Sequence, residues 1–185
     1  MVEEYFEIHK PKPKSNPRNA VVQWSPPSEK LYKVNFDAAL FDHLGCAGLG
    51  VVVRDWRGNV LAALSQKVVL PQSVEMAEAL AVKRAIQLAT EMSFTRVLVQ
   101  GNCKRVVQAL QTPGRCLTMY GHVIADARRL GATLQTCTFH HTLREGNLLA
   151  YSLARRAVLT ADTVVWVEEL PSDLDDVFQN DLSFI

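Results

Sequence analysis

The chain has 185 residues, of which 48% are hydrophobic and 21% charged, with a formal net charge of +1. That length suits one compact domain with short flanks, and a core of that size needs neither disulfide nor structural metal. The near-zero charge argues against a polyanion binder driven by overall charge, so any nucleic-acid surface has to be a local patch.

Four scattered cysteines, Cys46, Cys103, Cys116 and Cys137, form no C-x-x-C pair and have no histidine at zinc spacing. They read as buried thiols in a reducing compartment. The opening residues MVEEYFEIHK lack a signal peptide's apolar core, and no uninterrupted apolar run is long enough to span a bilayer. The expected setting is therefore intracellular, nucleus or cytoplasm, with no membrane partner.

Residues 1–30 are rich in proline and charge and carry Lys10, Lys12, Lys14 and Arg18, the composition of an extended arm or linker. From Leu31 the pattern changes. Tyr32, Val34, Phe36 and Ala38 alternate with Lys33, Asn35 and Asp37, which predicts a half-buried strand. AGLGVVVRD predicts a second strand, and the turn Arg57-Gly58-Asn59 leads into a third, NVLAALSQKVVL. Together they make an antiparallel meander.

Pro71-Gln72-Ser73 interrupts, and a helix is predicted from about Val74 to Glu91. TRVLVQ reads as a buried parallel strand. Helices follow over about Cys103–Gln111 and Leu117–Leu130, the second stopped by Gly131. ATLQTCTFHH is the fifth strand and NLLAYSLARRAVL the last helix. Residues 31–160 form the predicted domain, and 161–185 an acidic, amphipathic tail expected to pack on it or to bind a partner.

Candidate chemistry follows from placement. Asp37, on the polar side of the first strand, reads either as a solvated strand-end aspartate or as one half of a site. Glu78 shares a helix face with Val74, Ala81, Val82, Ala85 and Ala89, where a carboxylate is costly unless paired, hydrogen-bonded or bound to a cation. Glu75 sits at the edge of that stripe and competes with it. Asn102 ends the buried parallel strand, where sites form in α/β sheets, although capping the next helix accounts for it without activity. His140 and His141 precede Arg144, Glu145 and Asn147 in a loop, where a histidine can move protons. Tyr151 is expected to pack in the core beside Leu148, Ala154 and Val158.

KVNFDAA, GLGVVVRDWRGNVLAA, EMAEALAVKRAIQLA, VLVQGNCKRVVQAL and HTLREGNLLAYSLAR, in this order, resemble the ribonuclease H family, in particular its plant retroelement-derived, reverse-transcriptase-associated branch. The resemblance covers about residues 30–160. It implies an α/β, ribonuclease H-like fold: a five-stranded mixed sheet, antiparallel over its first three strands and then parallel, flanked by helices.

Active members hold two Mg²⁺ or Mn²⁺ ions about 3.5–4 Å apart on four carboxylates and cleave the RNA strand of an RNA–DNA hybrid. Carried over by position, the first two acids match Asp37 and Glu78, and the loop histidine matches His141. The third and fourth acids fall on Asn102 and Tyr151. Neither replacement supplies a carboxylate, so the resemblance implies weak binding of one ion by Asp37 and Glu78 and little or no cleavage. Lys104 and Arg105 could contact a phosphate backbone, as could the main chain at Gly48 and Gly50, where strand twist or a bulge is the alternative. The expected function is an impaired hybrid-binding domain, with a protein-interaction module domesticated from a retroelement and an active hybrid nuclease as alternatives.

Overall fold

A computed structural model describes residues 23–183 and 185. The basic residues Lys10, Lys12, Lys14 and Arg18 lie outside them. Three strands, β1 (Tyr32–Phe41), β2 (Cys46–Arg54) and β3 (Val60–Val69), form the antiparallel meander. Asp55 closes the turn between the last two by accepting from the Arg57 and Asn59 amides. Then come α1 (Val74–Glu91), β4 (Arg96–Gly101), α2 (Lys104–Gln111), α3 (Gly121–Gly131), β5 (Thr136–His141), α4 (Leu148–Arg156), β6 (Thr163–Val167) and α5 (Asp175–Leu182).

The sheet has six strands in the order β5-β4-β1-β2-β3-β6, not five. β4 pairs in parallel with both β1 and β5. The additional strand comes from the tail and pairs antiparallel with β3. Its five residues, TVVWV, are too few and too uniformly apolar to show a strand period, and their partner lies about a hundred residues earlier.

Three further expectations are corrected. The third helix begins at Gly121 and includes Gly131, leaving Leu117 and Met119 exposed in the preceding turn. A Cβ on Gly131 would lie 3.0 Å from the Cys137 sulfur, so what this residue supplies is space rather than a left-handed cap. The cysteines are half-buried free thiols, not fully buried ones.

Helices cover both faces of the sheet. On one, Val34, Phe36, Leu49, Val51, Val53 and Leu64 meet the alanine-rich side of α1. Ser73 caps that helix, its hydroxyl accepting from the Met76 amide at 3.1 Å. On the other, Val52, Val60 and Ala63 meet Leu149, Ala150 and Leu153 of α4, with Leu174 closing the cluster. Because β1 is central, its polar side is also covered: Lys33, Asn35 and Asp37 are all buried, which the half-buried strand pattern did not anticipate.

α4 approaches the sheet very closely. Cβ atoms on Gly48 and Gly50 would stand 1.9 Å from the Ala154 carbonyl oxygen and 2.1 Å from that of Ala150, so no side chain fits at either position. Ser65 on β3 anchors the same helix by donating to the Leu153 carbonyl at 2.7 Å.

The two ends of the described chain meet where β2 ends beside the start of β1. Arg54 is fully buried and donates to Asp181 of α5 at 2.7 Å. Its guanidinium carbon lies 3.8 Å from the ring centroid of buried Trp24. Burial pulls the Arg54 pKa down to about 10, with Asp181 opposing the fall. Neighbouring Lys33 is lowered to about 8, by burial and then by the Arg54 charge.

Candidate functional site

Asp37 lies in the middle of β1, not at its end, since the strand continues to Phe41. It is 2% exposed, and Glu78, reaching from α1, is 4% exposed. Two carboxyls so placed cannot both ionise cheaply. Burial raises the Asp37 pKa, opposed by a hydrogen bond from Glu78, the Ala38 amide and the Arg144 charge. Glu78 is raised further, by burial and then by the Asp37 charge. Of the two, Glu78 is held further above its ordinary range, so a proton shared by the pair favours it. Its Oε2 is buried with no hydrogen-bond partner.

Asn147, immediately before α4, ties the surrounding elements together. Its amide nitrogen donates to the Phe36 carbonyl at 2.8 Å and reaches Asp37 Oδ2 at 3.3 Å and Asn102 Oδ1 at 3.5 Å. Its oxygen accepts from Asn35 at 3.1 Å, and Asn35 in turn accepts from the Trp24 indole at 2.9 Å. The close packing of α4 on Gly48 and Gly50 is what brings Asn147 within reach of β1.

Asn102 follows β4 directly. It does not cap α2, whose N-cap is Cys103 with no side-chain cap bond. Its carbonyl accepts from His141 Nε2 at 3.2 Å, which fixes the proton-bearing nitrogen of that exposed ring. Tyr151, one turn along α4 from Asn147, is half-buried rather than part of the core. The guanidinium carbon of exposed Arg144 lies 5.0 Å from its ring centroid.

The fold therefore gathers Asp37, Glu78, Asn102 and His141 around Asn147, with Tyr151 and Arg144 on the α4 side. Among the described residues no group of three or more His, Cys, Asp or Glu side chains is arranged to hold a metal ion. The buried, unpartnered Oε2 of Glu78 is an oxygen that a cation would fit. Glu75, the competing acid, is committed to Arg105 at 2.8 Å, and Lys104 is exposed at the start of α2. Gly48 and Gly50 are buried beneath α4, so the backbone approaching them is that of the helix and not of a ligand.

Asn147 and Arg144 are the residues that sequence reasoning passed over. Both stood there only as loop neighbours of His140 and His141.

A family model described as reverse transcriptase-like matches residues 35–157. Solved structures give the same fold. RNase H1 from the halophilic archaeon Halobacterium salinarum superimposes with a TM-score of 0.64 at 22% identity, covering 69% of this chain and 97% of that one. LC11-RNase H1 in complex with an RNA/DNA hybrid gives 0.61 at 24% identity, over 70% of this chain and 99% of that one. The protease–reverse transcriptase of prototype foamy virus gives 0.54 at 19% identity, over 76% of this chain and 23% of that one. Among curated proteins none matches. Among the described residues no helix is long and apolar enough to cross a membrane.

Proposed function

This chain belongs to the reverse transcriptase-like family and carries an RNase H-like domain, and from that premise we propose that it binds RNA–DNA hybrids through a degenerate site that cleaves weakly or not at all. The observation that carries this reading is the buried Asp37–Glu78 pair, flanked by Asn102 and Tyr151 where the resemblance expects acids. A divalent ion such as Mg²⁺ or Mn²⁺, held by Asp37 and Glu78, would supply positive charge to a phosphate. One ion then balances the pair, whereas a second would face only neutral groups.

The remaining residues orient and bind. Asn147 holds Asp37 in place and keeps the start of α4 against β1. His141 commits its Nε2 proton to the Asn102 carbonyl, so Nδ1 is the atom at which it can exchange a proton with a ligand. Hybrid binding by LC11-RNase H1, on the same fold, supports the choice of ligand.

A second reading, a protein-interaction module, draws on β6. That strand forms one edge of the sheet and exposes Val164, Val165 and Val167. The deciding experiment is a labelled RNA–DNA hybrid incubated with Mg²⁺ or Mn²⁺, with Asp37→Asn as control, alongside salt-dependent binding. The proposal expects salt-dependent binding and cleavage no greater than about the control's. Metal-dependent cleavage that the control abolishes would make this a working nuclease. Neither binding nor cleavage would favour the interaction module.

A further inference from the structure

Arg144 is exposed in the short 3-10 turn Arg144–Gly146 that leads into α4. Its guanidinium lies over the Tyr151 ring, and among the described residues it makes no ion pair. Asn147, three residues further along, reaches Asp37 of the carboxyl pair at 3.3 Å, and the Arg144 charge is felt by both carboxyls. From this arrangement we propose that Arg144, held on Tyr151, is the phosphate anchor of the site and takes a phosphodiester of the RNA–DNA hybrid by bidentate hydrogen bonding. The proposal rests on the hybrid-binding reading above and names the residue that makes the contact.

Charge accounting favours it. In the four-carboxylate arrangement two divalent ions balance the acids and also face the phosphate. Here at most one ion would face the phosphate instead of two, and without an ion none does. Arg144 supplies one positive charge at that place, with or without an ion. Its field already reaches the pair, since it opposes the rise in both carboxyls.

The identity of residue 151 then acquires a reason. An aspartate beside Arg144 would form an ion pair and spend its charge. A tyrosine ring holds a guanidinium by cation–π attraction without neutralising it. Cation–π attraction uses none of the guanidinium N–H groups, which stay free to form the paired hydrogen bonds that a phosphate accepts.

The test is binding of a fluorescent RNA–DNA hybrid in EDTA over a range of NaCl, with thermal melts to establish that each variant is folded. Arg144→Ala should bind about 10-fold more weakly and lower the slope of log affinity against log salt by about 0.9 or less. Arg144→Lys should keep the salt slope but recover only part of the affinity. Tyr151→Asp should resemble Arg144→Ala. Arg129→Ala, which removes an exposed arginine of α3 paired with Asp126, serves as the control for simple loss of charge. If folded Arg144→Ala matches both wild type and Arg129→Ala in affinity and slope, the anchor is refuted while hybrid binding stands. If wild type shows no salt-dependent binding at all, both fall together.

Discussion

Glu78 is a buried carboxyl held well above its ordinary pKa range. Burial and the Asp37 charge keep it protonated to higher pH in the folded chain than in the unfolded one. Above the ordinary glutamate range the folded state therefore binds more protons, and stability falls as pH rises toward the folded value. Glu78→Gln keeps the donor to Asp37 and removes the titration. Its melting temperature should be close to wild type near pH 4 and higher at pH 8, measured by circular dichroism; an equal offset at both pH values would refute the assignment. The same variant should lose any stabilisation by Mg²⁺, because a ligand that binds only the folded state raises the melting temperature. The double substitution Asn102→Asp with Tyr151→Asp should act in the opposite sense and enlarge the Mg²⁺-dependent shift. Because the new acid at 151 pairs with Arg144, it should also weaken metal-free hybrid binding, a loss that the ion would have to offset.

At the scale of elements, the site depends on how near α4 comes to β2. Gly50→Ala places a methyl group against the Ala150 carbonyl and must push the helix outward. A loss of about 1–3 kcal/mol or more is expected from such overpacking, read as a lower urea midpoint with an unchanged m-value. Hybrid affinity should fall with it, since Asn147 and Tyr151 ride on the same helix. The sequence showed most of these elements clearly: the meander, α1, the apolar β4 and the last helix all have strong period or composition signals. Asp37, Glu78 and His141 were found because a motif surrounds each of them. What escaped was relational. Nothing local distinguishes Asn147 as a hub, because its partners Asn35, Phe36 and Asp37 are more than a hundred positions away. The glycines of β2 were legible as places of close approach, but not what approaches them. The burial of Asn35 and Lys33 also follows from tertiary structure, since a central strand covered on both faces looks half-polar when read alone.

For the molecule as a whole, the sheet is completed by residues beyond the stretch that the family model matches. β6 covers the edge of β3, and α5 brings Asp181 to the buried Arg54. Removing one partner from a buried pair is costly because the other charge stays behind. Asp181→Ala should therefore cost about 3–5 kcal/mol, whereas Arg54→Met combined with Asp181→Leu should cost much less, both measured by urea unfolding. Equal losses would mean that the ion pair contributes little beyond its packing. The stack of Trp24 on Arg54 also makes the molecule optically self-reporting. With Trp56 and Trp166 replaced by phenylalanine, the remaining indole of the three tryptophans would emit from the junction of the entering chain, the sheet and the last helix. A red shift of that emission would time the release of α5, and comparing it with loss of far-ultraviolet ellipticity would tell whether the end of the chain unlatches before the sheet melts or together with it.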